Sequence, residues 1–93
     1  MASLDAITAF LDERTRRADI ADFPGANNGL QLTNATGEVR KIGAAVDAGL
    51  EPFRRAAAAG VDLLIVHHGL FWNPLQPLTG HRFAKLKMAF DAN

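Results

Sequence analysis

Two adjacent histidines followed by a glycine, His67-His68-Gly69, are the residues of this sequence best suited to chemistry. Imidazole nitrogens bind zinc, iron, nickel and copper, and ligand sets that mix histidine with carboxylates also admit manganese. Neighbouring side chains in a regular strand point to opposite faces, so both rings reach one ion only if the strand breaks, which Gly69 makes easy. Two ions lying close together would remove that need. Two histidines hydrogen-bonded at a strand end are the alternative, because two ligands do not complete a metal site.

The histidines follow a predicted strand–helix–strand unit. Val39 to Val46 is typical of a strand, and a helix is predicted from Leu50, with proline in its first turn, to its cap at Gly60. The continuous apolar run Leu63-Leu64-Ile65-Val66 predicts a strand covered on both faces, as in a parallel sheet. Such a βαβ unit is almost always right-handed. Ligands of open α/β sheets bind at the carboxyl ends of the strands, which is where the two histidines stand.

Apolar residues at helical spacing flank this unit on both sides. An N-terminal helix capped by Ser3 is predicted from Leu4, Ile7, Phe10 and Leu11. A last helix is predicted from Phe83, Leu86 and Phe90, with basic side chains directed outward at Arg82, Lys85 and Lys87. The run Leu30-Gln31-Leu32 is a candidate short strand. We therefore predict an α/β fold, a right-handed βαβ unit with flanking helices.

Other residues are weaker candidates for a functional role. Asp47 ends the strand before the crossover helix, on the same rim as the histidines, and could orient a histidine ring by accepting a hydrogen bond. Shaping the strand-to-helix turn is the alternative role for Asp47. His81 stands at the start of the last helix, where the helix dipole disfavours a cationic ring, so we expect a surface residue. Phe71 and Trp72 could stack a base, although such a pair is more often a core or subunit contact.

Composition limits the function classes. Ninety-three residues make one small domain at most, and ten basic residues balance ten acidic ones, so no positive excess favours nucleic acid. The absence of cysteine excludes disulfides and thiolate metal sites and fits a reducing cytoplasm. No apolar run approaches the ~20 residues of a membrane span, and the N-terminus lacks a signal peptide pattern. We expect a cytoplasmic protein with neither membrane nor nucleic acid as a partner.

A longer stretch around the histidines resembles a known family. The segment from Val61 to Trp72, VDLLIVHHGLFW, is similar to a motif of the Nif-three-like dinuclear metal proteins, often called type-2 GTP cyclohydrolase I. Asn28-Gly29-Leu30-Gln31 resembles the family's Asn-Gly-Leu-Gln turn, and the order of elements is similar over almost the whole chain. The resemblance implies a layered α/β fold and a centre of two divalent ions (zinc, iron, manganese or nickel) with His67 and His68 as ligands. It also implies a homo-oligomer, a hexamer, for which Phe71, Trp72 and Leu75 could form an apolar contact patch.

The sequence departs from the family pattern in its ligands. In the family, an aspartate on the next strand and a more distant histidine and glutamate complete the site, whereas this sequence ends at Asn93. We therefore expect residues 1–93 to be a single domain or fragment, the N-terminal metal-binding portion of a Nif-three-like protein. A naturally short relative is the alternative. Gly25-Ala26-Asn27 offers no acid before the Asn-Gly-Leu-Gln turn, which favours a scaffolding role for that turn.

Two functions from different classes follow. The first is a dinuclear metal-dependent hydrolase with a nucleotide or phosphate substrate, for which the resemblance implies opening of the GTP ring. Two ions about 3.5–4 Å apart would share a bridging water and clamp the reacting centre. The second is a non-catalytic metal-binding or regulatory protein. A general acid or base beside the metals would favour the enzyme, and the sequence identifies none.

Overall fold

The computed structural model describes residues 2–22, 25–72 and 76–92. The elements along the chain are β1 (Ala2–Ser3), α1 (Leu4–Arg14), β2 (Glu38–Val39), β3 (Ile42–Asp47), α2 (Leu50–Ala59), β4 (Leu63–His68) and α3 (His81–Ala92). Strands β1 and β2 pair in antiparallel orientation, and β3 and β4 form a separate parallel pair. The predicted α/β class is confirmed.

The unit β3–α2–β4 carries the two histidines. Its register runs from Ile42 beside Leu63 to Asp47 beside His68, so both strands end at the same edge. Helix α2 ends at Gly60, whose φ of 72° lies in the left-handed region that glycine adopts without a steric cost. The predicted parallel strands and their crossover helix are confirmed.

The first strand of this unit is shorter than the predicted Val39 to Val46. Val39 belongs to β2, and β3 begins only at Ile42. Between them the Asp62 carboxylate accepts hydrogen bonds from the backbone N–H groups of Arg40, at 2.8 Å, and Lys41, at 3.0 Å. These two hydrogen bonds fix the bend that takes the chain from one strand pair to the other, and they lower the pKa of Asp62.

Helix α1 has its predicted N-terminus. The Ser3 side chain accepts a hydrogen bond from the Ala6 N–H at 3.3 Å, and Leu4 is only 2% exposed. Helical spacing predicts Phe10 on the buried face, but Phe10 is 64% exposed, because the helix turns Leu4 and Leu11 inward instead. Leu30-Gln31-Leu32 pairs with no strand in the described ranges, so the prediction of a short strand there is wrong.

Strand β4 is less covered than its apolar run predicts. Ile65 is 36% exposed, and in the part of the chain that the structure describes only β3 pairs with this strand. Beside β4, between α1, α2, α3 and residues 28–34, lies a cavity of about 640 Å³. The expectation of a strand covered on both faces is therefore wrong for the described residues, which leave Ile65 partly exposed and a cavity beside the strand.

Helix α3 presents a different face to the fold from the predicted one. Leu86 is buried at 7% exposure, but Phe83 and Phe90 are 57% and 62% exposed. Lys85, predicted to point outward, is half-buried instead. Leu75 lies outside the described residues. None of the helices in the described ranges combines the length and apolar character that a membrane span requires.

Candidate metal centre

The two histidines close strand β4 at its carboxyl end. Both side chains are exposed, and β4 continues through His68 without the break that the alternation of side chains suggested. The ring centroids nevertheless lie 4.5 Å apart, with an angle of 63° between the ring planes. Zinc binds histidine nitrogen at about 2.0–2.1 Å, so rings this close can bind one ion or two neighbouring ions after small rotations of the side chains. The pair therefore fits as two imidazole ligands of a divalent metal.

The described ranges do not complete a metal site around this pair. No group of three or more histidine, cysteine, aspartate or glutamate side chains there could hold an ion. Two imidazoles leave at least two positions of a tetrahedral ion without a protein ligand. His81, the first residue of α3, is exposed, as expected of a surface residue.

Asp47 is placed beside the histidines by the register of the parallel strands. It pairs in register with His68, and side chains alternate between faces along each strand, so the two side chains lie on the same face. The backbone N–H of Ala48 donates to the His68 carbonyl at 3.2 Å, which joins the ends of the two strands. In the described part of the chain, no hydrogen bond joins the Asp47 carboxylate to the His68 ring. Its proposed role in orienting that ring stays a prediction.

The segment that follows the histidines is held by one side chain, Gln31. Its Oε1 atom accepts a hydrogen bond from the Leu70 N–H at 2.6 Å and a longer one from the Phe71 N–H at 3.4 Å. Its Nε2 atom donates to the Asn27 carbonyl at 2.5 Å and to the Phe71 carbonyl at 3.4 Å. Gln31 thereby ties the turn that resembles Asn-Gly-Leu-Gln to the residues directly after His68. Two distant stretches of the family pattern meet at this carboxamide.

Gly69 leaves room for this contact. A Cβ atom at residue 69 would lie 2.8 Å from Nε2 of Gln31, which is closer than real Cβ atoms approach, and 3.0 Å from Oε1, so the carboxamide would have to shift. The sequence suggested that Gly69 eases a break in the strand, whereas the structure gives it a second role, room for the Gln31 carboxamide. Trp72 adds a further restraint, because its indole N–H donates to the Gly69 carbonyl at 3.0 Å.

Lys85 is a polar residue at this edge that the sequence pattern missed. Its ammonium group donates to the Ala48 carbonyl at 3.0 Å from a half-buried position. Phe83 and Phe90 dominate the predicted apolar face, so the pattern places Lys85 in solvent. The only sequence signal for its inward position is its place next to Leu86, which is buried.

Comparison with known proteins identifies the family. The pattern of the family described as Duf34/NIF3 (NGG1p interacting factor 3) matches residues 2–90. The chain belongs to the Duf34/NIF3 family. This confirms the resemblance to the Nif-three-like proteins that the sequence motifs indicated.

Individual relatives agree with this assignment. The chain is 38% identical over 90 residues to a GTP cyclohydrolase 1 type 2 homolog of Deinococcus radiodurans, covering 96% of this chain and 33% of that protein. A homolog of the same name from Archaeoglobus fulgidus is 40% identical over 78 residues, which cover 84% of this chain and 31% of the relative. The crystal structure of TTHA1606 from Thermus thermophilus matches with a TM-score of 0.88 at 43% identity, over 98% of this chain and 37% of that one. This Duf34/NIF3 chain thus spans about a third of the length of its relatives.

Proposed function

We propose that His67 and His68 are ligands of a divalent-metal centre at the carboxyl end of β4. The observation that supports this most directly is the approach of the two exposed rings to 4.5 Å at the end of a strand. Three hydrogen bonds between the Gln31 carboxamide and the backbone of Leu70 and Phe71 restrain the segment directly after His68, and a fourth anchors this carboxamide to the Asn27 carbonyl. A restrained backbone loses less conformational freedom when its side chains bind an ion, which favours binding.

The complete centre is proposed to hold two divalent ions, of zinc, iron, manganese or nickel. Bound ions of this kind lower the pKa of a coordinated water and stabilise the charges that develop in hydrolysis. The imidazoles of His67 and His68 must be neutral to act as ligands, so protons compete with the metal for their nitrogens. Metal affinity is therefore expected to fall as the solution becomes acidic.

Hydrolysis of a nucleotide or phosphate substrate is the proposed activity of the whole protein. The names of the relatives, GTP cyclohydrolase 1 type 2 homologs, support a nucleotide substrate. The alternative, which the family resemblance also permits, is a non-catalytic metal-binding or regulatory protein. An assay for opening of the GTP ring and for phosphate ester hydrolysis, with manganese or zinc, separates the two. Turnover by the whole protein that disappears in His67→Ala supports the hydrolase, and metal binding without turnover supports the alternative.

The metal ligands are tested by substitution of each histidine. The variants are His67→Ala and His68→Ala, and His81→Ala is the matched control because it removes the third exposed imidazole, on α3. In the whole protein, elemental analysis should find about two metal ions per chain and a sharp loss in the first two variants. The control should keep its metal.

The same variants have a different expected result in the 93-residue chain. Two imidazoles alone should bind zinc with an affinity weaker than about 1 μM in an isothermal titration. His67→Ala and His68→Ala should each weaken this binding further, whereas His81→Ala should not. Unchanged zinc binding in both ligand variants would refute the assignment of His67 and His68.

We also propose that the whole protein is a cytoplasmic homo-oligomer, a hexamer. This proposal is supported by the family resemblance and by large apolar side chains at the surface, such as Trp72, which is 40% exposed. Light scattering of the whole protein at micromolar concentration tests it, and a monomer would contradict it.

A further inference from the structure

A second cleft lies next to the histidines, on the side of α3. Its volume is about 280 Å³, and one wall is formed by residues 69–72, which directly follow His68. The first turns of α3 line it as well. Three basic side chains line it, those of His81, Arg82 and Lys85, and no aspartate or glutamate does so among the described residues.

The positive charge in this cleft is not neutralised by a neighbouring acid. Arg82 forms no ion pair or side-chain hydrogen bond within the described ranges. Five other basic residues in the described ranges do have acidic partners: Lys87, on the same helix, is 2.7 Å from Asp91, and Arg17 is 3.0 Å from Asp12, with further pairs at Arg16, Arg54 and Arg55. The cleft is therefore a local excess of positive charge on a chain whose net charge is zero.

The basic residues share one face of α3. Residues three and four apart on a helix are neighbours, which places Arg82 and His81 beside Lys85. Lys85 is held in place because its ammonium group donates to the Ala48 carbonyl at 3.0 Å. An ammonium group has three N–H donors. Among the described residues, the Ala48 carbonyl is the acceptor that Lys85 uses, so further donors of its ammonium group remain for a ligand. Donors from two side chains, Arg82 and Lys85, are thus available on the same side of the cleft.

The position of Lys85 links the cleft to the candidate metal centre. Ala48, which accepts from Lys85, donates its own N–H to the His68 carbonyl at 3.2 Å. Lys85 is half-buried, so water screens its charge less than that of an exposed lysine. The ammonium group therefore lies at the edge where β3 and β4 end, one hydrogen-bonded residue away from a proposed metal ligand.

We propose that this cleft binds the phosphate group of a substrate beside the metal centre, with Arg82 and Lys85 donating to the phosphate oxygens. A phosphate dianion offers several acceptors to the planar guanidinium and the ammonium group, and hydrogen bonds between charged partners are the strong ones. The aromatic wall at Phe71 and Trp72 provides an apolar surface for the organic part of a phosphate ester. The role of this site in a reaction rests on the proposed metal-dependent hydrolase, whereas the binding of phosphate itself does not.

The test is a titration of the 93-residue chain with inorganic phosphate and with phenyl phosphate, in the presence of a metal chelator and at low ionic strength. The variant is Arg82→Gln, which removes an exposed charge without a described internal partner. Lys87→Gln is the matched control, because it makes the same change of charge on the exposed side of the same helix. Thermal melts of both variants establish that each is folded.

Phosphate should bind the unsubstituted chain, and Arg82→Gln should weaken this binding about tenfold, the loss expected for a hydrogen bond to a charged group. Lys87→Gln should change it by less than about twofold, as expected for a solvent-screened charge. Tighter binding of phenyl phosphate than of inorganic phosphate would identify an ester as the ligand, and equal binding would identify free phosphate. No binding, or equal losses in Arg82→Gln and Lys87→Gln, would overturn the proposal. Because no metal is present, these outcomes are independent of whether His67 and His68 bind metal.

Discussion

Replacing Gln31 by alanine removes the carboxamide that joins residues 27–31 to the segment after the histidines. The two short hydrogen bonds, at 2.6 Å to the Leu70 N–H and at 2.5 Å to the Asn27 carbonyl, carry most of the effect. The two bonds to Phe71, at 3.4 Å, are long and contribute little. A net contribution of about 0.5–1.5 kcal/mol for each short bond predicts a loss of about 1–3 kcal/mol in the free energy of unfolding.

Urea unfolding of Gln31→Ala measures this loss, and two other variants separate its causes. Gln31→Met keeps the length of the side chain without its polar atoms and should lose nearly as much as alanine. Gln31→Glu keeps the acceptor for the Leu70 N–H but directs a carboxylate oxygen at the Asn27 carbonyl, so it should also be destabilised. Thr33→Ala is the control, because among the described residues its hydroxyl makes a single long contact, at 3.5 Å with the Asn34 carbonyl.

The control should change the free energy of unfolding by less than about 0.5 kcal/mol. Gln31→Ala should also weaken zinc binding, measured under conditions where the variant is fully folded, because the backbone beside His68 is no longer restrained. A loss of stability in Gln31→Ala no larger than that in Thr33→Ala would refute the structural role of the carboxamide. Unchanged zinc affinity in a folded Gln31→Ala would refute its role in positioning the histidines.

The remaining predictions concern the glycine at the site, the bend before β3 and the exposed face of α3. Gly69→Ala should lower the free energy of unfolding by about 1–2 kcal/mol in urea. The loss should be much smaller in a Gln31→Ala background, because the new methyl group then meets no carboxamide. Equal losses in both backgrounds would contradict the clash between this methyl group and the Gln31 carboxamide. Asp62 has a pKa below its ordinary 3.8, so its contribution to stability is present above that pH and is lost as the pH falls through the lower folded value. Asp62→Asn should therefore have a lower free energy of unfolding than the unsubstituted chain at pH 7, and this difference should shrink in denaturant titrations near pH 3. A difference independent of pH would contradict a stabilising role for the Asp62 carboxylate. Phe83 and Phe90 are both exposed on α3, seven residues apart and therefore on the same side of the helix. Sedimentation of the 93-residue chain should show self-association, and substitution of both residues by aspartate should reduce it. A monomeric unsubstituted chain would contradict this expectation.

Local sequence signals determined most of the secondary structure. Ser3 begins α1 because its side chain satisfies a free backbone N–H, and Gly60 ends α2 because glycine adopts the left-handed conformation there. The apolar run that precedes the histidines forms β4. These features depend on residues within a few positions of one another, so the local amino-acid sequence is enough to predict them. The family motif likewise indicated His67 and His68 as candidate ligands from the sequence alone.

Contacts between distant parts of the chain decided what the sequence pattern left open. The bend before β3 depends on Asp62, more than twenty residues further along, and the position of the segment after His68 depends on Gln31. The inward position of Lys85 depends on a carbonyl group on another element, at Ala48. Helical spacing predicts that one face of α3 is buried, but which face is buried depends on the elements that pack against it. The 4.5 Å separation of the two histidine rings was not predictable from the sequence either, because alternation along a strand places neighbouring side chains on opposite faces.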